Sequence, residues 1–171
     1  IVNISEEKKK GRNEPYQLSI KSWKKWADKH DCEVFTLTER VYPEEYMNAN
    51  WHKSLALKII ESNGIDYDQV LIVDADTIVH PDCPNFFDIT DRKFCAVMND
   101  GCYEWVTRSI QKYGDYLFPD IDIRTWEYFN SGFIVVNKTH KEFFDKVIAF
   151  YNDNVERFIH AKSFWVGNDQ T

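Results

Sequence analysis

Val70-Leu71-Ile72-Val73-Asp74-Ala75-Asp76-Thr77-Ile78-Val79 is the stretch from which the rest of the chain can be read. Apolar residues on both sides of an acid pair describe a strand buried on both faces, as in a parallel sheet. Two carboxylates at that depth are costly without compensating charge. The strand is therefore expected to end at Asp74 and to present Asp74 and Asp76 at its carboxyl edge. Ligands of open α/β sheets bind at that edge. Residues two apart on an extended segment face the same side, so the two acids make half a site for a hard divalent cation. The bland alternative is a pair that caps a turn or meets basic residues. The apolar strand in front of it favours metal binding or catalysis.

Working outward toward the N-terminus, residues 66–68 lead into this strand from a helix over residues 51–61. Ser62-Asn63-Gly64 stops that helix, with Gly64 in the left-handed position that ends helices. Residues 39–50 read as a loop and residues 33–37 as a second strand. Residues 16–30 read as a helix, with Leu18, Ile20, Trp23, Trp26 and Ala27 at helical spacing and Pro15 at its start. Residues 1–4 read as a first strand. The polar, basic loop of residues 5–15 is placed either to hold a nucleotide or to be solvated. Strand, helix, strand, helix, strand predicts a βαβ unit and a mainly parallel sheet with helices on its faces.

Toward the C-terminus, a short segment over residues 85–89 precedes a strand at residues 94–98. A long, aromatic-rich connection over residues 99–127 carries a short helix near residues 104–113. So long a connection inside a compact domain is more often functional than idle. Phe129-Asn130-Ser131-Gly132-Phe133-Ile134-Val135-Val136-Asn137 is a strand opening on small polar residues. Residues 141–157 form an amphipathic helix with Phe143, Phe144, Val147, Ile148, Phe150 and Tyr151 toward the core. Gly167-Asn168-Asp169-Gln170-Thr171 reads as the start of a helix cut short, so a longer natural chain is expected.

The 171 residues suit one domain with a real core. The aromatic content of 16% points to a heavily packed interior or to a cleft with stacking surfaces. A formal net charge of −7 argues against nucleic acid as a partner, and an anionic substrate would need a local cation. The four cysteines have no metal-finger or Cys-x-x-Cys spacing, so reduced thiols in a cytoplasmic setting are expected. The alternative is a lumenal domain separated from its anchor. No apolar stretch reaches membrane length. Asn3-Ile4-Ser5 and Asn137-Lys138-Thr139 match the glycosylation pattern but fall at strand ends, where a sugar would collide with the fold.

Three pieces stand in order: Val73-Asp74-Ala75-Asp76, Phe129-Asn130-Ser131-Gly132, and Asn168-Asp169-Gln170. Together they resemble the GT-A fold glycosyltransferases, nearest to the retaining families numbered 8 and 34. The resemblance covers residues 1–171 and implies a single Rossmann-like α/β domain. It implies that sugar moves from a nucleotide-sugar, a UDP-sugar by preference, to a hydroxyl of a glycan, glycoprotein or other acceptor. On this likeness Asp74 and Asp76 would hold Mn²⁺ or Mg²⁺ against the donor diphosphate, with Ala75 between them. Asn130 and Ser131 would sit beside the donor sugar, Asp169 would bind its hydroxyls, and Gln170 would lie near the anomeric carbon. Lys53 would reach the donor, and Asn3, Ser5 and Tyr16 would face the base. A His that completes the metal site in family 8 would fall after Thr171.

Each of these residues has a plainer reading. Lys53 could be a solvated helix lysine. Asn130 and Gly132 could shape a turn, Asp169 could cap a helix, and His80 reads as a surface residue. Two other functions compete. One is a Mg²⁺-dependent phosphohydrolase with Asp74 as nucleophile and Asp76 as acid/base, for which Asp115 and Asp120 mimic a second acidic motif. The other is a non-catalytic sugar- or nucleotide-binding module.

Overall fold

The computed structural model of the chain describes residues 1, 13–99 and 102–164. Asn3, Ser5, Asp169 and Gln170, and with them most of the expected first strand, lie outside the described residues. The described elements are α1 (Asn13–Lys29), a 3₁₀ helix (Ala49–Leu55) running into α2 (Ala56–Ser62), β1 (Gln69–Val73), α3 (Phe86–Thr90) and β2 (Cys95–Met98). They continue through α4 (Tyr103–Ser109), a π-helical turn (Ile110–Gly114), α5 (Asp115–Leu117) and a 3₁₀ turn (Thr125–Glu127) to β3 (Phe129–Asn137). A 3₁₀ turn (Lys138–His140), α6 (Lys141–Asp153), α7 (Val155–Ala161) and a last 3₁₀ turn (Lys162–Phe164) complete them.

The sheet corrects the expectation of a mainly parallel, Rossmann-like centre. Among the described residues it has three strands in the order β1-β3-β2, and β3 is antiparallel to both neighbours. β1 and β2 therefore run in the same direction, as a βαβ reading requires, but they are not adjacent. β3 enters from the long connection and inserts between them in the opposite sense. Hydrophobic pattern marks where strands are; the partner and its direction are set by contacts distant in sequence. The Leu37 amide donates to the Ile1 carbonyl and the Ile1 ammonium to the Phe35 carbonyl, both at 2.9 Å, and among the described residues the 33–37 segment holds no place in the three-stranded sheet.

Alternation along β1 sends its side chains to opposite layers. Val73 packs with Trp23, Trp26 and Ala27 of α1, whereas Ile72 packs with Leu57 of α2, Ile134 and Val136 of β3 and Phe144 of α6. A third cluster lies among the helices, where Trp51 meets Tyr151 and Phe158 at ring separations of 4.8 Å each. α2 ends as its residues require. Gly64 has a φ of +70°, and the Ile65 amide returns to the Ile60 carbonyl at 3.2 Å.

Asn137 is buried at the end of β3. Its carboxamide oxygen accepts from the Thr139 amide at 2.9 Å, and its amide nitrogen donates to the Arg92 carbonyl. The glycosylation-like triplet is thus spent on local structure. Among the described residues no helix is long and apolar enough to cross a membrane.

Candidate functional site

β1 ends at Val73, and the chain turns at once. The Asp74 amide donates to the Gly132 carbonyl at 3.1 Å. The Asp74 carbonyl accepts the Thr77 hydroxyl at 2.7 Å and the Thr77 amide at 3.3 Å, closing a turn over residues 74–77. The Trp23 indole N–H donates to that same Thr77 hydroxyl at 3.1 Å, so α1 braces the turn. Inside it Ala75 is buried and Asp76 is exposed. The turn replaces the extended geometry expected here, so Asp74 and Asp76 are set by turn shape and not by strand alternation.

Lys53 supplies the local cation. Its ammonium lies 2.8 Å from Asp74 Oδ1 and donates to Ser131 Oγ at 3.1 Å. The Lys53 side chain is only 6% exposed, against 38% for Asp74. The solvated-lysine reading is therefore excluded. Its place is fixed by its neighbours on the 3₁₀ helix. Trp51 and Leu55 are in the helical core. His52 is fully buried, facing the Asn48 carbonyl through Nδ1 at 3.2 Å and accepting the Tyr42 amide on Nε2 at 3.3 Å. Those contacts define the neutral tautomer with Nδ1 protonated, and burial holds the ring below its ordinary value.

The opening of β3 brings the other half. Ala96 of β2 pairs with Ile134, but the next residue, Val97, pairs with Asn130. Ser131, Gly132 and Phe133 therefore have no partner on β2 and form an irregular bulge, a device that re-aims side chains beside functional sites. Asn130 Oδ1 accepts the Gly132 amide at 2.7 Å. A Cβ on Gly132 would lie 2.7 Å from Asp74 Oδ2 and 2.9 Å from Asn130 Oδ1, so glycine is required by close approach. The run Asn-Ser-Gly at the opening of the strand is a sequence signal for such a bulge.

Lys53, Asp74, Asn130 and Ser131 are thus brought together, with Ala75 and Asp76 on the adjoining turn. Tyr16 is half-buried in the first turn of α1, and among the described residues no hydrogen bond or ion pair ties it to them. Among the described residues no group of three or more His, Cys, Asp or Glu gathers as a ready metal cage. Two carboxylates, one partly exposed and one exposed, still suit an ion of the magnesium type, which takes one or two carboxylates plus substrate phosphates. Among the described residues one cavity, of about 500 Å³, lies elsewhere, lined by Ile1, β1 and residues 31–35. It borders His52 and Val73 but not Lys53 or Asp74, so the site is recognised by its charged contacts rather than by concavity.

The connection over residues 102–127 is mixed in character. Trp105 packs against the helical core, with the Arg108 guanidinium 5.9 Å from its ring centre. Tyr103 is exposed, and so is Trp126, which the reading of the sequence passed over. Trp126 lies just before β3, four residues from Asn130. Comparison with family models, with curated proteins and with solved structures finds no match to this chain.

Proposed function

We propose that the chain carries a metal-dependent nucleotide-sugar site and transfers the sugar, from a UDP-sugar by preference, to an acceptor hydroxyl. One observation supports this above the others. A buried ammonium joins the Asp-x-Asp turn to the Asn-Ser-Gly strand, two of the three pieces on which the likeness to families 8 and 34 rests. A chain of net charge −7 needs fixed positive charge wherever a diphosphate is to bind, and Lys53 is one.

In this reading Asp74 and Asp76 would hold Mn²⁺ or Mg²⁺, and the bound ion supplies charge neutralisation for the departing diphosphate. Losing a stabiliser of this kind costs on the order of 3 kcal/mol of transition-state energy. Lys53 orients Asp74 and adds its own charge on the same side. Asn130 and Ser131 would sit beside the donor sugar, as the resemblance implies, and the exposed faces of Tyr103 and Trp126 suit an acceptor ring. Asp169 and Gln170 keep the roles that the resemblance implies. Gln170 is an amide and cannot act as a base, which favours retention of configuration.

The phosphohydrolase reading stays in view because an aspartate beside a buried lysine also suits phosphoryl transfer. Incubation with a UDP-sugar and Mn²⁺ separates the readings. Free UDP supports sugar transfer, UMP released together with a sugar phosphate supports phosphoryl hydrolysis, and binding with neither product leaves a binding module. Proton NMR of the first product from an α-linked donor reads the configuration, and a β-linked product would overturn retention.

A further inference from the structure

We propose that Trp23 and Thr77 are positioning residues of the candidate metal site. The Trp23 indole orients the Thr77 hydroxyl, and that hydroxyl sets the turn from which Asp76 meets a divalent cation. The inference rests on the metal-dependent reading above and adds to it two residues that act through the turn. Its starting point is an asymmetry between the two acids. Asp74 is held by the Lys53 ammonium at 2.8 Å. Asp76 is exposed and makes no hydrogen bond or ion pair among the described residues. The place of its carboxylate is therefore set by the backbone of residues 74–77 and by its own rotamer.

That backbone is closed chiefly by one side chain. The Thr77 amide reaches the Asp74 carbonyl at 3.3 Å, a long bond, whereas the Thr77 hydroxyl reaches it at 2.7 Å, the preferred O–H···O length. A hydroxyl has one proton to give, and an indole N–H only donates. By donating to the Thr77 hydroxyl at 3.1 Å, Trp23 occupies an acceptor position on that oxygen and leaves its proton for the Asp74 carbonyl. Trp23 is a firm anchor for this. It is 5% exposed and packs with Val73 and Val79, on either side of the turn. Its ring also lies 6.4 Å from that of Phe133, in the bulge of β3. One side chain of α1 thus touches both the Asp-x-Asp turn and the bulge, as Lys53 does from the 3₁₀ helix. Ser22, the preceding residue, instead accepts the Val79 amide at 3.2 Å, beyond the turn. A carboxylate already held in place loses less freedom when an ion binds, so loosening the turn lowers affinity without removing a ligand.

Calorimetric titration of UDP, with Mn²⁺ and with EDTA, tests the pair. Thr77→Val keeps nearly the same shape and loses the hydroxyl. It should lower the Mn²⁺-dependent UDP affinity by about five- to tenfold, the effect of one hydrogen bond. Thr77→Ser keeps the hydroxyl and should bind as the native chain does. Trp23→Phe loses the indole N–H and should weaken binding by less than Thr77→Val. Combining Trp23→Phe with Thr77→Val should be no weaker than Thr77→Val alone, because the indole acts only through that hydroxyl. Ser22→Ala should change nothing. Melting temperature verifies that each variant is folded, and the two Thr77 variants carry the test if Trp23→Phe does not fold. A native chain without Mn²⁺-dependent UDP binding overturns the metal-site reading and this inference with it. Where the native chain binds, unchanged affinity in folded Thr77→Val overturns the positioning role alone, and so does Thr77→Ser binding as weakly as Thr77→Val. Additive losses in the double variant overturn the link through Trp23. An equal loss in Ser22→Ala overturns the specific role in favour of a general loosening of the segment.

Discussion

Replacing Lys53 by Met separates what the buried cation does for the fold from what it does for a ligand. Met keeps an unbranched stem of similar volume, so the apolar packing around residue 53 is retained. The ammonium's bonds to Asp74 and Ser131 are lost, and a hydrogen bond to a charged group contributes about 1.5–3 kcal/mol. Against this, Met removes the need to desolvate the ammonium, an effective cost of several kcal/mol per ion. Asp74 is 38% exposed, so water can take the vacated position and the charge left behind is largely screened. The two effects nearly cancel. Stability should change by no more than about 2 kcal/mol in either direction, or about 8 °C in Tm for a chain of this length. A charge-assisted bond to a phosphate is of the same size as the lost one, so UDP affinity in the presence of Mn²⁺ should fall by about 10- to 100-fold. Thermal unfolding and calorimetry on the same preparation read both quantities. Unchanged UDP affinity in a folded variant would refute the reasoning, and a collapse in Tm with little effect on binding would make Lys53 a structural residue.

Three further outcomes follow from the geometry. Gly132→Ala must displace Asp74 or Asn130, because its Cβ would lie within 3 Å of both. It should cost about 1–3 kcal/mol, read as a lower urea midpoint at constant slope, and a neutral result would mean the bulge is more plastic than described. His52 is buried below its ordinary value of 6.5. As pH falls through 6.5, the unfolded chain takes up a proton that the folded chain resists, so stability is full above that value and declines below it. The decline should flatten in His52→Gln, and an identical acid slope in that variant would assign the effect to other groups. Trp126→Ala should weaken acceptor use while sparing UDP binding. Trp105→Ala should instead cost about 1–3 kcal/mol of stability through its half-buried ring, and the reverse pattern would exchange the two roles.

Much of the site was legible because its signals are local. The change from Val73 to Asp74 marks the strand end, the small polar residues of β3 mark its opening, and Gly64 marks the end of α2. Lys53 was legible as a candidate but not as a buried one. Its burial depends on Trp51, His52 and Ser131, and Ser131 is 78 residues away in the chain. The sheet was misread for a similar reason. Apolar runs of residues 70–73, 94–98 and 133–136 look alike whether a neighbour is parallel or antiparallel. The insertion of β3 between β1 and β2 is a matter of long-range pairing that periodicity does not encode. Residues 33–37 alternate like a strand yet, among the described residues, take no place in the three-stranded sheet. Trp126 went unnoticed because a single aromatic residue gives no sign of whether it faces core or solvent.

The central claim is that the Asp-x-Asp turn and Lys53 form a metal-dependent nucleotide-sugar site, and calorimetric titration of UDP tests it most directly. With Mn²⁺ present the native chain should bind UDP. Binding should be lost with EDTA and should fall at least tenfold, about 1.4 kcal/mol, in Asp76→Asn, whose exposed side chain leaves the fold intact. UDP affinity that is the same with Mn²⁺, with EDTA and in Asp76→Asn, or no UDP binding by the native chain under any of these conditions, would contradict it.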